Sequence, residues 1–149
     1  MQVDPIQVTV SVTTILERLG VPYFIGGSLA STLHGMIRTT QDSDILADLK
    51  KEHVRPFIHD LQADFYIDDE MVANAVTHRS SFNIIHRESI FKVDIFMPQQ
   101  RSFEKMQFAS ARRETLSIEP ELKAIVSTPE DILLAKLEWH RMGGEVSER

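Results

Sequence analysis

Val21-Pro22-Tyr23-Phe24-Ile25-Gly26-Gly27-Ser28, followed ten residues on by Arg38-Thr39-Thr40-Gln41-Asp42-Ser43-Asp44, is the stretch that decides the fold. The apolar run up to Ile25 has the length and composition of a buried strand, the two glycines make a turn, and Ser28-Leu29-Ala30-Ser31-Thr32-Leu33 is able to open a helix. A strand, a glycine turn and a helix N-terminus present backbone N–H groups to an anion. If Asp42-Ser43-Asp44 opens the next strand, its two carboxylates are i and i+2 and point to one side. Two carboxylates so placed suit a hard divalent cation bound through oxygen, beside a phosphate chain.

A third carboxylate is available from a hairpin. Ser81 to His86 and Ile90 to Met97 flank Arg87-Glu88-Ser89, and Pro98 closes the second strand, which carries Asp94. Lys92 shares a strand face with Asp94, so it is placed either to reach the acids or to pair with Asp94 within the sheet. Three acids gathered together repel one another and raise each other's pKa unless a cation compensates them.

The remaining elements frame these segments. Asp4-Pro5 is an N-cap and first helical residue, and Ile15, Leu16 and Leu19 carry a helical face to Gly20, although Gln7 to Val12 alternates like a strand. Asp44 to Asp48 reads as a strand, Lys51 to Leu61 as an amphipathic helix, Phe65 to Ile67 as a short strand and Glu70 to Val76 as a short helix. Arg112 to Ile118 and Lys123 to Val126 extend the sheet around the Glu119-Pro120-Glu121 turn. Thr128 caps a final helix with Pro129 at its first position, Asp131 three residues after the cap, and Ile132, Leu133, Leu137 and Trp139 following, until Gly143-Gly144 stops it. Ser147-Glu148-Arg149 resembles the opening of another helix, which leaves room for the natural chain to run past Arg149.

The order Gly-Gly-Ser, a short helix ending near His34-Gly35, then Arg-x-Thr-x-Asp-x-Asp resembles the signature of the DNA polymerase beta-like nucleotidyltransferase superfamily. It is most like the small prokaryotic branch, the minimal nucleotidyltransferases and the nucleotidyltransferase-type toxins of toxin–antitoxin pairs. Ser81-Phe82-Asn83-Ile84-Ile85-His86 and Phe91-Lys92-Val93-Asp94-Ile95-Phe96 resemble the family's two later strands, so the likeness spans roughly Tyr23 to Leu137. It implies an α/β fold with a mixed, twisted sheet, the glycine turn and acidic strands lining one edge and helices packed on the other side.

The resemblance also implies roles. The backbone and hydroxyl at Gly26, Gly27 and Ser28 would hold the β- and γ-phosphates of a nucleoside triphosphate. Asp42 and Asp44 would ligate magnesium bridging that triphosphate, and Asp94 would join them on a second ion about 3.5–4 Å from the first. Asp94 would also accept the attacking hydroxyl's proton. Arg38, four residues before Asp42, is either placed to offset charge on the phosphates or a plain solvated surface arginine. Lys136 matches a lysine of related toxins and is a phosphate contact on that basis, or else a plain helix-surface lysine.

The implied reaction is magnesium-dependent transfer of a nucleoside monophosphate to a hydroxyl acceptor, releasing pyrophosphate. The acceptor is open among tRNA ends, protein hydroxyls and small molecules, and a cognate antitoxin is the partner a toxin would have. Each signal has a plainer reading: a glycine turn needing positive φ, a serine N-cap, aspartates where a loop enters a strand. Two other functions stay in view, a catalytically silent nucleotide- or partner-binding module on the same scaffold and a metal-dependent phosphohydrolase.

The totals narrow the field. At 149 residues, 42% hydrophobic and 26% charged, the chain has the size of one domain. A formal net charge of −6 argues against a broad nucleic-acid binder. The absence of cysteine excludes disulfides, thiolate zinc sites and cysteine nucleophiles. The six histidines show no H-x-x-x-H or H-E-x-x-H spacing that would indicate a zinc enzyme. Arg112-Arg113 and His78-Arg79 are short basic clusters of the kind that guides RNA but is more often a solvated face. No apolar run approaches the roughly 20 residues of a membrane span, and no secretory leader is visible, so a cytoplasmic location is expected.

Overall fold

The computed structural model of the protein describes residues 4–27 and 42–141, with 138–141 by backbone alone. The expected helix from Ser28, the residues Ser28 and Arg38, the Trp139 side chain and the Gly143-Gly144 stop lie outside the described residues.

Helix α1 spans Pro5–Arg18, with the Asp4 carboxylate accepting from Ile6 N–H at 2.9 Å, and Gly20 ends the segment at φ +74°. The strand-like alternation of residues 7–12 gives way to helix because the cap and tertiary burial outweigh β-branched propensity. Its hydroxyls bond back along the helix, Thr9 to Pro5 O at 2.9 Å and Thr13 to Val10 O at 3.1 Å. The segment 51–61 splits into a 3-10 turn, Lys51–His53, and helix α2, Val54–Leu61. Pro56 has no N–H to give to the preceding turn, which accounts for the break. Helix α3, Asp69–His78, is capped by Asp68, which accepts from Met71 N–H at 3.0 Å, and is ended by Arg79 at φ +54°.

Seven strands form one mixed sheet. They are β1 Tyr23–Ile25, β2 Asp42–Ala47, β3 Phe65–Tyr66, β4 Ser81–His86, β5 Lys92–Phe96, β6 Arg112–Ile118 and β7 Glu121–Val126, in the order β3-β4-β5-β2-β1-β7-β6. β2 runs parallel to β5 and β1 parallel to β7, while the other neighbouring pairs are antiparallel. The Glu119–Pro120 peptide between β6 and β7 is cis.

Strand alternation divides the sheet into two faces. Ser43, Ile45, Ala47, Val93, Ile95, Phe82 and Ile84 are buried on one face. Helix α1 packs there, its Thr9 hydroxyl 3.0 Å from Ser43 Oγ, and Phe57 of α2 meets Phe82 edge-on with centroids 6.1 Å apart. Asp42, Asp44, Lys92 and Asp94 belong to the opposite face.

One helix has no counterpart in the sequence reading. Helix α4, Ser102–Ser110, begins at Arg101 rather than at a serine, threonine, aspartate or asparagine cap. Its start is held instead by the Glu104 carboxylate, which accepts from Gln99 N–H at 2.7 Å. Phe108 of α4 packs edge-on against Phe24, centroids 4.9 Å apart, so this helix covers part of the acid-bearing face.

Helix α5, Pro129–Arg141, starts as expected, with Thr128 Oγ1 accepting from Asp131 N–H at 3.2 Å, and Ser110 Oγ donates to the buried Asp131 carboxylate to tie α4 to α5. Its apolar stripe is less buried than its sequence suggests. Ile132 is in the core, but Leu133 and Leu137 are 59% and 57% exposed. Among the described residues no helix is long and apolar enough to cross a membrane.

Candidate active site

The site is a product of strand register. The parallel pairing of β2 with β5 sets Asp42 beside Lys92 and Asp44 beside Asp94. Neighbouring strands lie about 4.8 Å apart, so the backbone lattice itself brings these four side chains to one patch. β4 adds Asn83, which stands directly opposite Asp94 and shares its face. Nothing in the sequence reading singled out Asn83; the hairpin register around Arg87-Glu88-Ser89 is the signal that would have found it.

Gly26 borders the patch for a steric reason. Its N–H donates to Asp44 O at 2.8 Å, continuing the β1–β2 ladder. A Cβ at residue 26 would stand 2.3 Å from Asp44 Oδ2. Glycine is therefore favoured by the close approach of the carboxylate and not by its backbone conformation, since among the described glycines only Gly20 has positive φ. This corrects the turn-geometry reading of the pair and removes the Gly26 N–H from the donors available to a phosphate. A Cβ at Gly27 would meet nothing within 4 Å.

One lysine offsets part of the charge of the three carboxylates. Lys92 Nζ lies 3.8 Å from Asp42 Oδ2 and 3.8 Å from Asp94 Oδ2. The side chains of Lys92 and Asp42 are 42% and 43% exposed, and that of Asp94 only 27%. Burial pushes the Asp94 carboxyl above its ordinary range, with Lys92 opposing the shift and the charges of Asp42 and Asp44 adding to it. Among the described residues, no three carboxylates or imidazoles are already drawn together as a ready metal cage. The donor set nevertheless fits magnesium: hard carboxylate oxygens of three aspartates on one face, two of them already drawn to a cation on a flexible side chain.

The other candidates divide. Lys136 is exposed on α5 and makes no ion pair with the acids among the described residues. Two of the arginines considered as RNA guides have structural partners instead. Arg79 binds Asp48 at 2.6 Å and the carbonyls of Leu49 and Pro98, and Arg113 pairs with Glu17 at 3.2 Å.

Two positioning contacts went unread in the sequence. Ser43, between the two acids, turns inward to Thr9 of α1 at 3.0 Å, fixing β2 from behind. Tyr23 donates to Glu17 at 2.5 Å and accepts from Ile125 N–H at 3.1 Å, bracing β1 against β7. Burial, with the Glu17 carboxylate next to it, pushes the Tyr23 hydroxyl up to about 12.

No family model and no curated protein matches the sequence. Solved structures do match. A Thermotoga maritima protein whose assignment as a nucleotidyltransferase is provisional superposes with TM-score 0.57 at 16% identity, over 96% of this chain and 89% of that one. An antigenic nucleotidyltransferase-like protein from Paracoccidioides brasiliensis gives TM-score 0.58 at 21% identity, over 96% and 70%. The chain thus has the nucleotidyltransferase-like fold, as the resemblance implied.

Proposed function

We propose that the acid-bearing face catalyses magnesium-dependent transfer of a nucleoside monophosphate from a nucleoside triphosphate to a hydroxyl acceptor. The observation that carries this reading is the register of β2 and β5, which sets Asp42, Asp44 and Asp94 on one face. Bound magnesium would supply positive charge against the phosphate oxygens and align the triphosphate.

The chain's own residues do the rest. Asp42 and Asp44 would hold the ion beside the triphosphate, and Asp94 would complete the donor set. The acceptor oxygen forms its bond to the α-phosphorus while the bond from that phosphorus to the bridging oxygen breaks, and pyrophosphate leaves. The acceptor's proton goes to Asp94, the carboxylate that faces the acceptor side of the patch in this reading. Ser28, Arg38, Lys92 and Lys136 are assigned to the phosphates, with the acceptor drawn from RNA ends, protein hydroxyls or small alcohols. A role as the toxin of a toxin–antitoxin pair is the biological setting in keeping with this chemistry.

The test is titration of each nucleoside triphosphate with and without magnesium into the wild type and an Asp42→Asn/Asp44→Asn variant, together with pyrophosphate release. Magnesium-dependent binding lost in the variant supports the site. Binding without pyrophosphate release under any acceptor favours a silent binding module. Equal binding by both proteins removes the carboxylates from the reading.

A further inference from the structure

The acid patch already contains a cation of its own. Lys92 Nζ is equidistant, at 3.8 Å, from Asp42 Oδ2 on the neighbouring strand and Asp94 Oδ2 on its own. Lys92 and Asp94 are one pleat apart on β5, and Lys92 is in register beside Asp42, so the ammonium bridges the two strands across the mouth of the patch. A lysine is suited to this: a compact point charge on a flexible stem, half-exposed here, able to swing into water without disturbing the backbone. A divalent ion and this ammonium draw on the same two carboxylates.

We propose that Lys92 is the resident counter-cation of the site: it closes the acids in the metal-free protein, gives way when a divalent ion enters, and moves to an anionic phosphate when one is present. This rests on the metal-dependent reading above. It makes metal and triphosphate binding mutually reinforcing, because the phosphate gives the displaced ammonium a new partner and the ion frees the ammonium to reach it.

The experiment is calorimetric titration with Mn2+ alone, without nucleotide, into wild type, Lys92→Met and Lys92→Gln, with melting of each metal-free protein at low salt. Loss of two opposed contacts near 4 Å and of a nearby positive charge should tighten Mn2+ binding about tenfold in both variants. The metal-free variants should melt below wild type, and Mn2+ should raise them more than it raises wild type. Mn2+ binding that is unchanged or weaker in the folded variants overturns the role of Lys92 while leaving the metal site standing. No Mn2+ binding by any of the three proteins overturns the metal-dependent reading and this proposal with it. The second variant covers the case in which one substitution fails to fold.

Discussion

The Asp44 carboxylate fills the space that a side chain on residue 26 would need, its Oδ2 standing 2.3 Å from where a Cβ would be. The glycine and the acid are therefore one unit. Gly26→Ala should leave the fold intact, since a carboxylate can rotate away, at a cost of about 1–3 kcal/mol. Displacing Asp44 by close to an ångström should lower nucleotidyl transfer about a hundredfold. Gly27→Ala, with open space around it, should leave stability within about 0.5 kcal/mol. Urea unfolding and pyrophosphate release on the two variants check the contrast.

Asp94 sets a pH dependence whose sign follows from its environment. Burial and its acidic neighbours hold its folded pKa above the ordinary 3.8, so below 3.8 the carboxyl is protonated in folded and unfolded chains alike and contributes nothing. Between 3.8 and the raised value the folded chain binds more protons, so stability falls as pH rises, and the loss is complete above the raised value. Asp94→Asn should abolish this component: the metal-free variant should melt above wild type at neutral pH and converge with it toward pH 3.8. The same variant should lose transfer activity. Thermal melts across the acid range, paired with a turnover assay, test both parts.

Tyr23 offers a stability prediction separate from chemistry. Tyr23→Phe leaves Glu17 with Arg113 but without the tyrosine hydroxyl, and leaves the Ile125 N–H without its acceptor, a loss of about 1–3 kcal/mol in denaturant unfolding. Tyr23 is in register with Ala47 on the buried face, opposite to the acids, so turnover per folded molecule should be unchanged.

The buried pair Thr9 and Ser43 should behave as a coupled unit. Thr9→Val strands the Ser43 hydroxyl between α1 and β2 and should cost about 1–3 kcal/mol. Combining it with Ser43→Ala should cost less than the sum of the singles, with a coupling of about 1 kcal/mol in a double-mutant cycle.

Much of this site was legible because its signals are local. Asp4-Pro5 and Thr128-Pro129 name their helices through caps, and Asp42 and Asp44 name a strand face through i, i+2 spacing. What depends on long-range register was not. The Ile25–Val126 pairing spans most of the chain, and only that pairing explains why Tyr23 reaches Ile125. Helix α4 was missed because its first turn is capped by Glu104 rather than by a residue at the cap position. Gly26 was seen as a turn residue because clearance to a side chain eighteen positions away leaves no trace in neighbouring residues. Of the exposed leucines on α5, sequence gives the stripe but not which part of it finds a neighbour.

The strict alternation of β2 separates what can be changed from what cannot. Ser43, Ile45 and Ala47 are buried against the helices, while Asp42 and Asp44 on the reverse side are only partly buried. Replacements among the acids therefore reach the chemistry with little effect on the scaffold. A sheet built this way can change what its acid-bearing face does by single substitutions and keep a folded protein throughout.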